Sequence, residues 1–318
     1  MLSNRSDSMP LPPSSVSPSL FRRVLFASNF SSASAAAFPY AAAIARRFGS
    51  ELLTLHVLSP DEETRLDSAS IQVALERLRR EAEDRVHSLL EAAHSGGLTC
   101  RVLIERGEVA SVLPAVVERE RVELVVTGSE GRHGIQKLLS PPVDEEIAET
   151  ARCPVLLVGP LAAPPAGPEL LLSRILLATD FNPRSTPAIQ LAYALAGACS
   201  AQLLFLHIAD DVWKEPLSTR MTAEAFCRMR MLENGLPEHS PALEPVFLVE
   251  FGPPQRMILE SADRTGAGLI LMGVPAPAHP VLAAHFPGPL AYDIASYARC
   301  PVLVLRNARE PATPADSR

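Results

Sequence analysis

Aromatic residues are scarce in this 318-residue chain: 5 % of the total, with one tryptophan, Trp213. That argues against a nucleic-acid platform built on base stacking. Basic residues are in deficit, 29 Lys+Arg against 36 Asp+Glu for a net charge of −7, the reverse of what a polyanion binder shows. The 5 cysteines are odd in number and include no C-x-x-C pair, so neither a disulfide framework nor a zinc ribbon is indicated and a reducing cytoplasm is favoured. Long uncharged stretches exist at 24–45 and 265–292. The first carries Ser28, Ser31, Ser32, Ser34 and Pro39 and splits into a strand and a helix; the second carries five prolines, His279 and His285. Neither can keep its backbone paired across a lipid core, so no membrane partner is expected. Residues 1–20 are rich in Ser and Pro and lack the apolar run of a signal peptide, and read as a disordered tail. What remains is ordinary globular composition, 47 % apolar and 20 % charged, in a chain long enough for two domains.

The strongest positive feature is internal repetition. Residues 22–57 (RRVLFASNFSSASAAAFPYAAAIARRFGSELLTLHV) align without a gap on 173–208 (SRILLATDFNPRSTPAIQLAYALAGACSAQLLFLHI) at an offset of 151, so that Phe30 matches Phe181 and His56 matches His207. The ends match too, ETARCPVLLVG against SYARCPVLVLR. Each copy opens with a short apolar strand (24–27, 175–178), followed by an Ala-rich helix (34–48, 185–198) and a second strand (51–57, 202–208). A variable charged segment comes next. In the first copy it is an amphipathic helix over 71–94 with Val73, Leu75, Leu78, Ala82, Val86, Leu89 and Leu90 on its apolar face; in the second it is shorter, around 222–232. A third strand (101–105, 246–250), a helix, a fourth strand (124–127, 269–272) ending in Gly128 or Gly273, a last helix and a fifth strand (155–158, 302–305) close the unit. Strands alternating with helices imply an α/β fold of two tandem, doubly wound parallel five-stranded sheets. The expected domains are 21–160 and 173–307, joined by a Pro- and Gly-marked linker at 161–172 and followed by a tail at 308–318. The last strands are apolar and would lie at sheet edges, so they are expected to pair with each other in an intramolecular pseudo-dimer. A further homodimer is open, with no surface fixed for it.

Taken in order, VLFASNFSSAS and ILLATDFNPRS after the first strands, LTLHV and LFLHI on the second, VVTGSEGRHGIQKLL after the fourth, and ARCPVLLV and ARCPVLVL at the ends resemble the universal stress protein family in its tandem form. The resemblance covers nearly all of both copies. It implies a Rossmann-like sheet of order 3-2-1-4-5, with ligands at the point where strand order reverses. In members that bind ATP, an Asp after strand one contacts the nucleoside, and G-x-x-G, nine residues, G-Ser/Thr holds the phosphates. Carried over, the candidate nucleotide contacts are Asn29, Val57, Gly128, Ser129 and Gly131 in the first copy, and Asp180, Ile208, Gly273 and Gly288 in the second.

Neither copy keeps the whole motif. A phosphate cradle works through backbone N–H groups, and each proline in it removes a donor. The first copy has Pro141-Pro142 where Gly-Ser is expected, with Asp144, Glu145 and Glu146 behind, although Arg132, His133 and Lys137 could supply charge; its strand-one carboxylate is Asn29. The second copy keeps Asp180, but its loop GVPAPAHPVLAAHFPGPL has Ala276 for the second glycine, Pro289 for Ser/Thr, and no Lys or Arg. Whether either half holds ATP stays open on these residues. His56 and His207, at equivalent strand ends, read as strand caps rather than a metal pair. Cys153 and Cys300 read as small apolar residues before buried strands, and Cys199 and Cys227 read as unactivated thiols. Arg46–Arg47 and Arg79–Arg80 read as solvated charge. The expected function is a non-enzymatic, cytoplasmic stress-response protein that acts through unidentified protein partners, with degenerate nucleotide pockets. The alternative is an adenine-nucleotide-binding switch with at most slow hydrolysis. An adenylating or pyrophosphatase-type enzyme ranks last, since neither SNFSS nor TDFNP matches the S-G-G-x-D-S such enzymes carry.

Overall fold

The structure is a computed structural model, and it describes residues 20–58, 71–92, 98, 100–129, 147, 151, 153–165, 172–213, 222–236, 243–274 and 288–306. Among these lie ten strands and seven α-helices. The first copy runs β1 (Arg23–Ala27), α1 (Ser32–Phe48), β2 (Glu51–Leu58), α2 (Ile71–Ala92), β3 (Cys100–Arg106), α3 (Val109–Glu120), β4 (Leu124–Gly128) and β5 (Val155–Val158). The second runs β6 (Arg174–Ala178), α4 (Thr186–Cys199), β7 (Gln202–Ile208), α5 (Ala223–Glu233), β8 (Val246–Glu250), α6 (Pro254–Thr265), β9 (Leu269–Val274), α7 (Gly288–Tyr297) and β10 (Val302–Arg306). The last helix expected in the first copy falls mostly outside the described residues; Ile147, helical and buried at 4 % exposure, lies in that stretch. No described helix is long and apolar enough to cross a membrane.

The strands form one sheet of order β3-β2-β1-β4-β5-β10-β9-β6-β7-β8. Each half has the order 3-2-1-4-5 that the resemblance implies, with every pairing inside a half parallel. The halves join where β5 and β10 run antiparallel, Val302 opposite Leu157 and Val304 opposite Val155. This is the expected pseudo-dimer, and it covers the two apolar strands whose edges would otherwise template association. Strands buried on both faces need helices on both. One face is filled from α1 and α4, with Phe26, Phe38, Leu156, Leu177 and Leu303 in one continuous cluster across both halves. The other is filled from α3, α6 and α7 over Leu25, Leu157, Leu176 and Val302.

Two expectations need correcting. Val73, expected on the apolar face of α2, is 71 % exposed, while Ala82 and Val86 are buried. A 22-residue helix is about 33 Å long and the 7-residue β3 beneath it only about 23 Å, so the first turns of α2 overrun the strand. Arg47 is not simply solvated. It donates to the Ala198 carbonyl at the end of α4 and hydrogen-bonds the Cys199 thiol, tying one half to the other. Arg79 and Arg80 do stay exposed, paired with Glu83 and Glu76 one turn away.

Candidate ligand crevice

The loops after β1 and β6 are built alike. Phe30 and Phe181 both sit in the left-handed region at φ 57°, turning the chain sharply toward the following helix. In the first half Asn29 Oδ1 accepts from Ser31 N (3.0 Å) and from the buried Ser34 hydroxyl (2.7 Å). In the second, Asp180 Oδ1 accepts from Asn182 N and from the Ser185 hydroxyl, each at 2.9 Å. Asn29 therefore replaces Asp180 without loss to the loop, because one carbonyl-type oxygen does the structural work in both. What differs is charge: only the second half carries a carboxylate there.

The two histidines brace the same loops. His56 Nδ1 meets the Ser28 carbonyl and His207 Nδ1 the Thr179 carbonyl, both at 2.9 Å. A carbonyl only accepts, so Nδ1 carries the proton and Nε2 is the acceptor of the neutral ring. β2 and β7 stand seven strands apart in the sheet, roughly 33 Å, so the histidines serve as separate caps. Among the described residues no group of three His, Cys, Asp or Glu side chains could hold a metal. Burial pulls the His207 pKa below its ordinary 6.5, against the bond to Thr179 and the carboxylates of Asp180 and Asp210, which favour the charged ring, while Arg230 adds to the depression. The unfolded ring takes its proton near 6.5 and the folded ring only at lower pH. The stability this contributes is complete above that value and is lost as pH falls through the window down to the folded pKa. Between about pH 7.5 and 5.5 the native chain should therefore lose more Tm than His207→Asn, whose amide keeps a donor for Thr179. Equal losses in the two scans would rule this out.

Around Asp180 the second half opens a cavity of about 460 Å³, lined also by His207, Ile208, Asp210, Trp213 and Arg230. It lies beyond the carboxyl ends of β6 and β7, beside the reversal of strand order. Two candidates, Asp180 and Ile208, meet there. The far wall is not among the residues that the sequence singles out. Phe226, Arg230 and Asn234 follow one another at four-residue spacing on and just after α5, and that spacing is the one signal that could have marked them inside a variable, charged segment.

The remaining candidates are placed differently. Val57 is half-buried near the end of β2. Gly128 is explained by packing, since a Cβ on it would stand 2.1 Å from the Ala33 carbonyl oxygen at the start of α1. Ser129 is buried, and its N–H donates to the Val158 carbonyl at 2.8 Å, so that amide is already used by the sheet. Gly273 lies inside β9, which runs two residues beyond the expected strand, opposite Leu305. Gly288 opens α7. Gly131, Pro141 and Pro142 lie outside the described residues, as does the segment 275–287. The thiols are inert by environment: burial pushes Cys153, Cys227 and Cys300 up to about 12, and raises Cys199 even with Arg47 hydrogen-bonded to it.

A doubly wound sheet written twice, with a crevice beyond the carboxyl ends of β6 and β7, defines a tandem Rossmann-like α/β protein. The chain belongs to the universal stress protein family, whose family model matches residues 20–159 and again 172–306. A universal stress protein from Archaeoglobus fulgidus has the same fold over 93 % of this chain and 100 % of its own, with a TM-score of 0.70 and 18 % identity. Curated universal stress proteins match one half's worth of chain. One from Methanocaldococcus jannaschii is 24 % identical over 140 residues (44 % of this chain, 82 % of its own). Another from Bacillus subtilis is 26 % identical over 147 residues (44 % of this chain, 99 % of its own).

Proposed function

We propose that this chain is a non-enzymatic universal stress protein that acts through protein contacts, with the second-half crevice as its small-ligand site and the first half as scaffold. One observation carries the reading: most of the crevice's polar side chains are engaged in holding the crevice itself. Asp180 and Asn182 accept from backbone amides, His207 donates to Thr179, Asn234 donates to the Arg230 carbonyl, and Arg230 is paired with Glu233. Groups committed in this way position a ligand; they do not move protons at it. The five free thiols support a reducing, cytoplasmic setting. With β5 and β10 already paired inside one chain, a second copy would have to dock on another face. The second reading, an adenine-nucleotide switch, is favoured by the Asp180 carboxylate at the cavity, an acceptor for the donors of a nucleoside.

The test is turnover. Purified chain with magnesium and ATP should release phosphate no faster than a buffer blank. Steady release that drops about ten-fold in Asp180→Asn would overturn the non-enzymatic reading. Retention of millimolar ATP in equilibrium dialysis without turnover would favour the switch.

A further inference from the structure

We propose that the second-half crevice takes a free α-amino acid with an apolar side chain, its ammonium on one wall and its carboxylate on the other. This rests on the crevice being the chain's small-ligand site and names the class of ligand. The two walls carry opposite charge. Asp180 follows β6 and Asp210 follows β7, whereas Arg230 stands on α5, and all three line the one cavity of about 460 Å³. Yet among the described residues Arg230 forms its ion pair with Glu233, at 3.1 Å, and is paired with neither aspartate. Opposite charges that share a cavity without meeting leave room between them for a dipolar ion. Asp210, Trp213 and Arg230 also lie outside the loops on which the nucleotide reading rests.

Each wall has the groups for its half of such an ion. Asp180 spends Oδ1 on Asn182 N and the Ser185 hydroxyl and so keeps Oδ2. The Asp210 carboxylate is a second acceptor. His207 is the third. It is only 9 % exposed, its Nδ1 is committed to the Thr179 carbonyl at 2.9 Å, and Nε2 on the opposite edge of the ring is left to accept. Burial holds its pKa below the ordinary value, which keeps the ring neutral. A primary ammonium has three N–H groups to give. On the other wall Glu233 takes one Nη of Arg230, which leaves Nε and the second Nη, an edge of the guanidinium that can grip a carboxylate through two parallel bonds. The ligand's side chain has an apolar surface to meet. Ile208, Trp213 and Phe226 line the same space, the two rings edge to face at 4.9 Å between centroids. The volume lies in the range of small-ligand sites.

Full-length protein is titrated with L-phenylalanine, with phenethylamine, which lacks the carboxylate, and with hydrocinnamate, which lacks the ammonium. Calorimetry and the emission of Trp213, the one tryptophan, read binding. Phenylalanine should bind at least about ten-fold more tightly than either analogue. Arg230→Met should weaken phenylalanine about ten-fold without weakening phenethylamine, and Asp210→Asn should weaken phenylalanine about ten-fold without weakening hydrocinnamate. Either analogue binding as tightly as phenylalanine overturns the dipolar-ion assignment. Phenylalanine affinity unchanged in one of the variants overturns the placement of its charge on that wall. AMP bound at millimolar concentration where phenylalanine is not overturns the inference and leaves the crevice a ligand site. Neither compound bound at that concentration by either readout overturns both the inference and the ligand-site reading.

Discussion

Gly159→Val should destabilise the chain by at least about 3 kcal/mol, more than almost any other single change outside the largest core side chains. Gly159 leaves β5 directly beneath α7 of the other half, and a Cβ there would stand 1.7 Å from the Ala295 carbonyl oxygen. That neighbour is helix backbone, which cannot rotate away as a side-chain tip can. Relief requires α7 to lift from β5, opening the cluster that Leu157, Ala295 and Val302 share. The comparison is Gly49→Ala. Gly49 sits at φ 64° with nothing within 4 Å of where a methyl group would stand, so its change should cost only about 1 kcal/mol of backbone strain. Urea unfolding of the two variants against the native chain measures both. A Gly159→Val midpoint no lower than that of Gly49→Ala would show that the seam between the halves yields freely.

The seam itself is legible in the amino-acid sequence. A strand with the apolar run Val155–Val158 that ends a repeat must be covered, and its counterpart Val302–Arg306 is the equivalent strand of the other copy. The gapless repeat of Phe30 on Phe181 and His56 on His207 requires one topology in both halves, while the strand order itself comes from the resemblance to the universal stress protein family. The crevice is legible only on the side built from the repeat, Asp180 and Ile208. Its other wall comes from Asp210 to Asn234, where the copies diverge and no partner position exists to compare. Arg47 beside Cys199 is hidden for a related reason: the two residues meet only because the halves pack, and the sequence between them carries no trace of it. Gly128 shows the opposite error. Its place in the phosphate motif suggests a ligand role, and the α1 backbone behind it supplies a packing reason that motif spacing alone cannot reveal.

Phe181→Gly and Phe30→Gly test how one backbone conformation is held by two environments. Both phenylalanines occupy φ 57°, where a β-carbon costs about 1 kcal/mol, so glycine relieves the same strain at each position. The side chains differ. Phe181 is fully buried, stacked 6.2 Å from Phe205 and 5.2 Å from His207, and its removal leaves a cavity in the cluster that joins α4 to the sheet. Loss of a core Phe costs about 3–5 kcal/mol, so burial wins and the net destabilisation should be about 2–4 kcal/mol. Phe30 is half-buried, against His56 at 5.0 Å and under the Arg85 guanidinium at 5.1 Å. An exposed cation–ring contact is worth about 0.5–1 kcal/mol, so relief of strain and loss of contact nearly cancel and Phe30→Gly should fall within about 1 kcal/mol of native. Chemical denaturation of the pair decides it. Equal effects would mean that the loops, not the rings, set the stability of these turns, and that the first-half loop is as tightly held as the one beneath the second-half crevice.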